Sequence, residues 1–127
     1  ALAFYAGAGT AEQRAAMIAH IERIIDAVGF AFPSLDPRDE RFEPKRYWRG
    51  PVWLVLNYMI GRGLAEAGHA ELAERIRTDS RRLIEAEGFH EYFHPLTGEG
   101  CGGGDFSWTA AIWLAWAGKD DLSVKAA

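Results

Sequence analysis

Apolar residues recur at intervals of three and four along Met17, Ile18, Ile21, Ile24, Ile25 and Val28, the stripe of an amphipathic helix. Thr10-Ala-Glu-Gln13 ahead of the stripe has the form of a capping box, and Gly29 suits its end, so a helix is predicted over about 10–28. A second helix, about 52–67, follows Pro51 and stops at Gly68. It is apolar nearly all round (Val52, Trp53, Leu54, Val55, Leu56, Tyr58, Met59, Ile60, Leu64), the mark of burial on several sides. The third, about 69–87, turns Leu72, Ala73, Ile76, Leu83 and Ile84 inward and Glu71, Glu74, Arg75, Arg77, Asp79, Arg81 and Arg82 outward, with Gly88 closing it. Ser107 can cap a fourth, about 107–117, again apolar through Trp108, Ala110, Ala111, Ile112, Trp113, Leu114 and Trp116 and ended by Gly118. No strand-like alternation is visible. Residues 30–47, broken by Pro33, Pro37 and Pro44 and carrying the charges Asp36, Arg38, Asp39, Glu40 and Arg41, form a long irregular connection, a kind often functional.

Two helices without a polar face alternate with one that faces solvent. The fold class is therefore all-α, read as a partial α/α toroid in which inner helices line a cavity. A plain helical bundle accounts for the same periodicity, but not for aromatic-rich and glycine-rich loops at the starts of both buried helices. Residues 1–118 are taken as one unit and 119–127 as a polar tail.

Composition narrows the functional classes. Apolar residues make up 49% and charged ones 25% of the 127, an ordinary globular balance. The longest apolar run, Val52 to Leu56, is too short to span a bilayer, so no membrane partner is expected. Net charge is −4 and the only basic cluster is the Arg75–Arg82 helix face, which argues against nucleic acid. One cysteine, Cys101, excludes an internal disulfide and suits a reducing compartment, hence a cytoplasmic expectation. The opening Ala1-Leu2-Ala3-Phe4 suggests an internal cut through a longer protein.

The chemistry concentrates in Gly88–Trp108. His90-Glu-Tyr-Phe-His94 matches the HExxH zinc pattern, but that motif works by placing two histidines on one helix face. Gly88 and Pro95 leave no room for such a helix, so no metal is assigned. Gly98, Gly100 and Gly103 match GxGxxG, yet no strand precedes them and no acidic residue follows at the distance a ribose needs, so no cofactor is assigned. The remaining reading is a sugar site. Sugar C–H faces pack on flat rings while polar groups fix the hydroxyls. Tyr47, Trp48 and Trp53 stand at the mouth of one buried helix and Trp108 at the other. Arg49 can fork onto a carboxylate or vicinal hydroxyls, and Glu91 can serve as a general base. Trp113 and Trp116 read as core, and His20 as a boundary residue.

The segment Tyr47-Trp-Arg-Gly-Pro-Val-Trp53, followed by Asn57-Tyr58, Glu91-Tyr-Phe-His-Pro-Leu-Thr-Gly98 and Phe106-Ser-Trp-Thr-Ala-Ala111, resembles the C-terminal part of the glycoside hydrolase family 63 and mannosylglycerate hydrolase group. The resemblance implies an (α/α)6 barrel. It also implies inverting hydrolysis of an α-glycosidic bond, with Glu91 at the general-base position and Tyr47, Trp48, Trp53 and Trp108 shaping the sugar pocket. The family's acid, an aspartate from an earlier helix region, has no counterpart here: Asp36, Asp39 and Asp105 match no motif. The expectation is thus a C-terminal fragment carrying half of a catalytic pair. Its partners would be a small carbohydrate, such as a mannosylglycerate or a glucoside, and the missing upstream half of the barrel. Exposed apolar helices would favour self-association. A histidine-dependent sugar epimerase and a non-catalytic carbohydrate-binding or interaction module are the alternatives.

Overall fold

Thr10 caps the first long helix as the sequence suggests. Its hydroxyl accepts a hydrogen bond from Gln13 N–H at 3.3 Å, and the Gln13 side chain accepts one from Thr10 N–H at 2.9 Å. In the computed structural model, which describes residues 1–119, this helix, α2, covers Ala11–Ile25 and stops three residues short of the predicted end. A single turn, α1 (Leu2–Tyr5), precedes it. Helix α3 spans Leu54–Glu66, α4 Ala70–Glu87 and α5 Ser107–Ile112, the last continuing as a π-helical segment over Trp113–Ala117. Most of the expected polar tail, 120–127, lies outside the described residues.

The helices assemble as their apolar stripes require. Ile21, Ile24 and Ile25 of α2 join Phe4, Ile60, Leu64 and Ile76 in one core, while Leu54, Leu83, Ile84, Phe93 and Ile112 form a second. Helix α3 packs on both α4 and α5, α4 also packs on the π-helical segment, and α1 lies against the C-terminal half of α3. That last contact is close: a side chain at Gly63 would meet the α1 backbone at Tyr5.

Four expectations need correction. Helix α3 begins at Leu54 rather than 52, because Val52 is spent on extended pairing. Its N–H donates to Phe93 O at 2.8 Å, Phe93 N–H donates back to Val52 O at 3.0 Å, and Val52 also bridges Pro33. Strands therefore exist: β1 (Tyr92–Phe93) pairs antiparallel with β2 (Gly100–Cys101). Two-residue strands are too short to show alternation, which is why none was visible. Third, Asp79 faces inward at 1% exposure. It accepts from Ala31 N–H at 3.0 Å and from Arg75 at 2.8 Å, so a polar mark at this position signals a buried anchor rather than a wet face. Fourth, Ser107 is the first residue of α5, not its cap. That helix is not wholly buried, since Leu114 is 75% and Trp108 54% exposed and none of the described residues covers them.

Candidate active site

The extended pairing at Val52 brings two distant stretches of sequence together. Pro33, Val52, Phe93 and Gly100 form a narrow antiparallel layer, so Trp53, just after Val52, lies beside Tyr92, just before Phe93. The 43–50 loop is closed on itself: Glu43 N–H donates to Arg49 O and Arg46 N–H to Glu43 O, each at 2.9 Å. Gly50 donates to the Ser34 hydroxyl at 3.0 Å and lies so near the Glu43 carbonyl that no side chain fits there. The loop thereby presents Tyr47 and Trp48 directly over Trp53 and the Glu91–Tyr92 step.

Four rings meet at this point. Trp48 stacks on Trp53 with centroids 4.0 Å apart and planes at 11°, and Tyr92 lies on Trp53 at 5.3 Å and 28°. Tyr47 stands edge-on to Trp53, Tyr92 and Trp48 at 4.9, 5.5 and 5.8 Å. Trp53 is buried at 2% exposure, and its indole N–H donates to Tyr47 O at 2.7 Å. It underlies the exposed rings of Trp48 and Tyr47. Tyr92, absent from the expected set, completes the cluster. Only its place next to Glu91 hinted at this.

Glu91 sits at the edge of the cluster. The Tyr47 hydroxyl donates to its Oε1 at 2.6 Å, and Gly103 N–H reaches Oε2 at 3.4 Å. Its own N–H donates to Gly103 O at 2.9 Å. The carboxylate beside it raises the Tyr47 hydroxyl above the ordinary phenol range, chiefly through the hydrogen bond. The start of α5 is tied to the same place, since the Thr109 hydroxyl donates to His90 O at 2.7 Å and Phe106 N–H to Phe89 O at 2.8 Å. Trp108 rides on that helix start against Phe106, at 5.6 Å, and makes no ring contact with the Tyr47 cluster. Arg49 pairs with Glu43, while its Nε is buried with no partner among the described residues.

The HExxH stretch is not a helix: Tyr92 and Phe93 are strand, and His94 Nδ1 accepts from the N–H groups of Leu96 and Thr97 at 3.2 and 3.3 Å. Burial, with Lys45 adding to it, pushes the His94 imidazole below its usual range, away from the charged form. Lys45 is itself paired with Glu99 at 2.7 Å. Among the described residues no group of three or more His, Cys, Asp or Glu side chains is placed to hold a metal ion. Asp36 and Asp39 each accept from the N–H and guanidinium of a nearby arginine, Arg38 and Arg41. These contacts hold both carboxyls below the ordinary carboxylate range.

Residues 1–109 match the mannosylglycerate hydrolase MGH1-like glycoside hydrolase domain family. Over 93% of its length the chain is 49% identical to a mannosylglycerate hydrolase of Selaginella moellendorffii, covering 24% of that protein. It is 49% identical over 86% of its length to a mannosylglycerate hydrolase of Thermus thermophilus, covering 27%. The crystal structure of the GH63 mannosylglycerate hydrolase from another strain of Thermus thermophilus, in complex with glucose, superposes with a TM-score of 0.85 at 43% identity, over 87% of this chain and 28% of that one. The chain thus spans about a quarter of the length of these relatives and shares their fold as a slice of an α/α barrel.

Proposed function

The chain belongs to the mannosylglycerate hydrolase MGH1-like glycoside hydrolase family, and from that membership we propose that it supplies the general-base portion of an inverting α-glycosidase acting on mannosylglycerate or an α-glucoside. The observation that carries this reading is a carboxylate, Glu91, fixed beside exposed aromatic rings and paired with no cation among the described residues.

In this mechanism water attacks the anomeric carbon from the face opposite the glycosidic oxygen. Glu91 removes a proton from that water as the C–O bond forms. A second carboxyl, roughly 6.5–9.5 Å away, protonates the departing oxygen, releasing the sugar and glycerate or another alcohol. The second carboxyl must hold its proton until transfer. Asp36 and Asp39 are kept ionised by their arginines and are poor candidates. Asp105 matches no family motif either, and the family resemblance assigns the acid to the three quarters of the relatives' length that this chain does not span. Trp48 and Trp108 stack against the sugar, Trp53 holds Trp48 flat, and Arg49 meets a polar group of the substrate through the exposed part of its guanidinium.

The test is hydrolysis of mannosylglycerate by the full polypeptide that carries this sequence, followed by NMR of the first-formed anomer. The β-anomer is expected, and an α-anomer would overturn inversion. Glu91→Gln should lower kcat by about 10²–10⁴-fold while binding persists. An unchanged kcat would remove Glu91 from the reaction.

A further inference from the structure

Tyr47 enters the sugar-site reading as a ring, yet its contacts describe a pointer. Three neighbours hold the ring edge-on, with planes at 80° to Trp48 and 89° to both Trp53 and Tyr92. The backbone behind it is fixed separately, because the Trp53 indole N–H donates to the Tyr47 carbonyl at 2.7 Å. With ring and main chain both held, the hydroxyl has one aim, and it falls on Glu91 Oε1 at 2.6 Å. That length lies in the charge-assisted range for O–H···O⁻. An ionised carboxylate is acceptor-only, so Oε1 receives the phenol's hydrogen bond and offers none in return. On the far side, among the described residues, Oε2 meets just the long Gly103 N–H contact of 3.4 Å, and Gly102 lies against the carboxylate with no side chain to crowd it.

We propose that Tyr47 is a positioning residue for Glu91: its hydroxyl occupies Oε1, fixes the plane of the carboxylate and leaves Oε2 to take the proton from water. This deepens the assignment of Glu91 and rests on it. The ring surface that sugars pack on belongs to Trp48, and Tyr47 contributes through the oxygen it holds.

The two roles separate kinetically. In the full polypeptide carrying this sequence, Tyr47→Phe keeps the ring and its three edge contacts but deletes the donor. The expected result is a kcat lower by about 10–100-fold with KM within about threefold, because an interaction that matters to the reacting geometry, not to substrate binding, is lost. A ring that merely carries sugar would give the opposite split, kcat and KM both unchanged in Tyr47→Phe and KM raised in Tyr47→Leu. The Tyr47→Phe/Glu91→Gln double variant is the sharper readout. If the hydroxyl acts through Glu91, the second substitution adds nothing to the loss caused by Glu91→Gln alone. Additive losses, or a silent Tyr47→Phe, would overturn the proposal. Failure of the underlying reading looks different: Glu91→Gln itself would then leave kcat intact. A Glu91→Asp background, in which the carboxylate is withdrawn from the hydroxyl by one methylene, checks the same non-additivity should Tyr47→Phe alter the thermal melt.

Discussion

Position 102 needs glycine for two separate reasons. Its φ of +72° is a conformation that side chains resist, and a Cβ there would stand 2.6 Å from Glu91 Oε2 and 2.9 Å from a Tyr92 ring carbon. Two residues on, a Cβ at Gly104 would meet nothing within 4 Å. Gly102→Ala should therefore lower the melting temperature by the equivalent of about 1–3 kcal/mol and reduce kcat, whereas Gly104→Ala is close to neutral for both. Calorimetry and initial rates on the two variants decide this, and equal effects would show that the Glu91 carboxylate is not held from the loop side. At this scale the sequence was legible in residue type but not in partner. Glu91 and Tyr47 stand out by motif. The bond between them closes over 44 positions and leaves no periodic trace. Trp53 shows the same gap: its place at a helix mouth was legible, but not that the chain at Val52 folds it beneath Trp48.

Elements with a cap and a stripe were readable, and elements made by tertiary pairing were not. Helix α2 carries both signals, and α4 carries a strong stripe. The start of α3 carries an ambiguous one, since a proline before an apolar run serves a first helical turn or a strand end equally well. What decides for the strand is Phe93, about forty residues away in sequence. The same holds for the buried polar set that joins loop, α3 and α4. Asn57, fully buried, donates to Ala31 O and the Ser80 hydroxyl, each at 2.8 Å, and accepts from Phe32 N–H at 3.0 Å. Alanine at 57 strands a carbonyl and an N–H away from water, while the Ser80 hydroxyl keeps its bond to Ile76 O at 2.8 Å. Asn57→Ala is expected to cost about 2–4 kcal/mol in denaturant melts, more than a single lost hydrogen bond. Because residues 31–33 lead into the layer that carries Val52 and Phe93, the variant should also lose activity at temperatures where it is still folded. A stability loss under about 1 kcal/mol would mean that water or a shifted loop satisfies these groups without Asn57.

At the scale of the whole molecule the open question is what the outer side of α5 faces. Trp108, Ala111, Leu114 and Ala115 are all exposed and recur at helical spacing, so they form one apolar stripe along the helix. A helix apolar on a second side ordinarily has that side covered. Among the described residues it is bare, in a chain that spans 28% of a structure whose fold it follows with a TM-score of 0.85. The sequence revealed a helix apolar all round, and the resemblance to a longer barrel implied exposed apolar surface. Which face is bare came only from the fold, because periodicity reports which residues want burial and not whether burial is supplied. Two consequences follow from the same surface. Taken alone, residues 1–127 should self-associate at concentrations of about 10–100 µM, and Leu114→Glu should restore a monomer by light scattering without loss of helical circular dichroism. In a longer polypeptide whose further helices cover α5, the same substitution should instead destabilise by about 2–4 kcal/mol, since it places a charge at a buried contact. A chain that stays monomeric alone and tolerates Leu114→Glu in both settings would show that the stripe is a wet surface. Opposite signs in the two settings are the signature of an inner barrel helix separated from its neighbours.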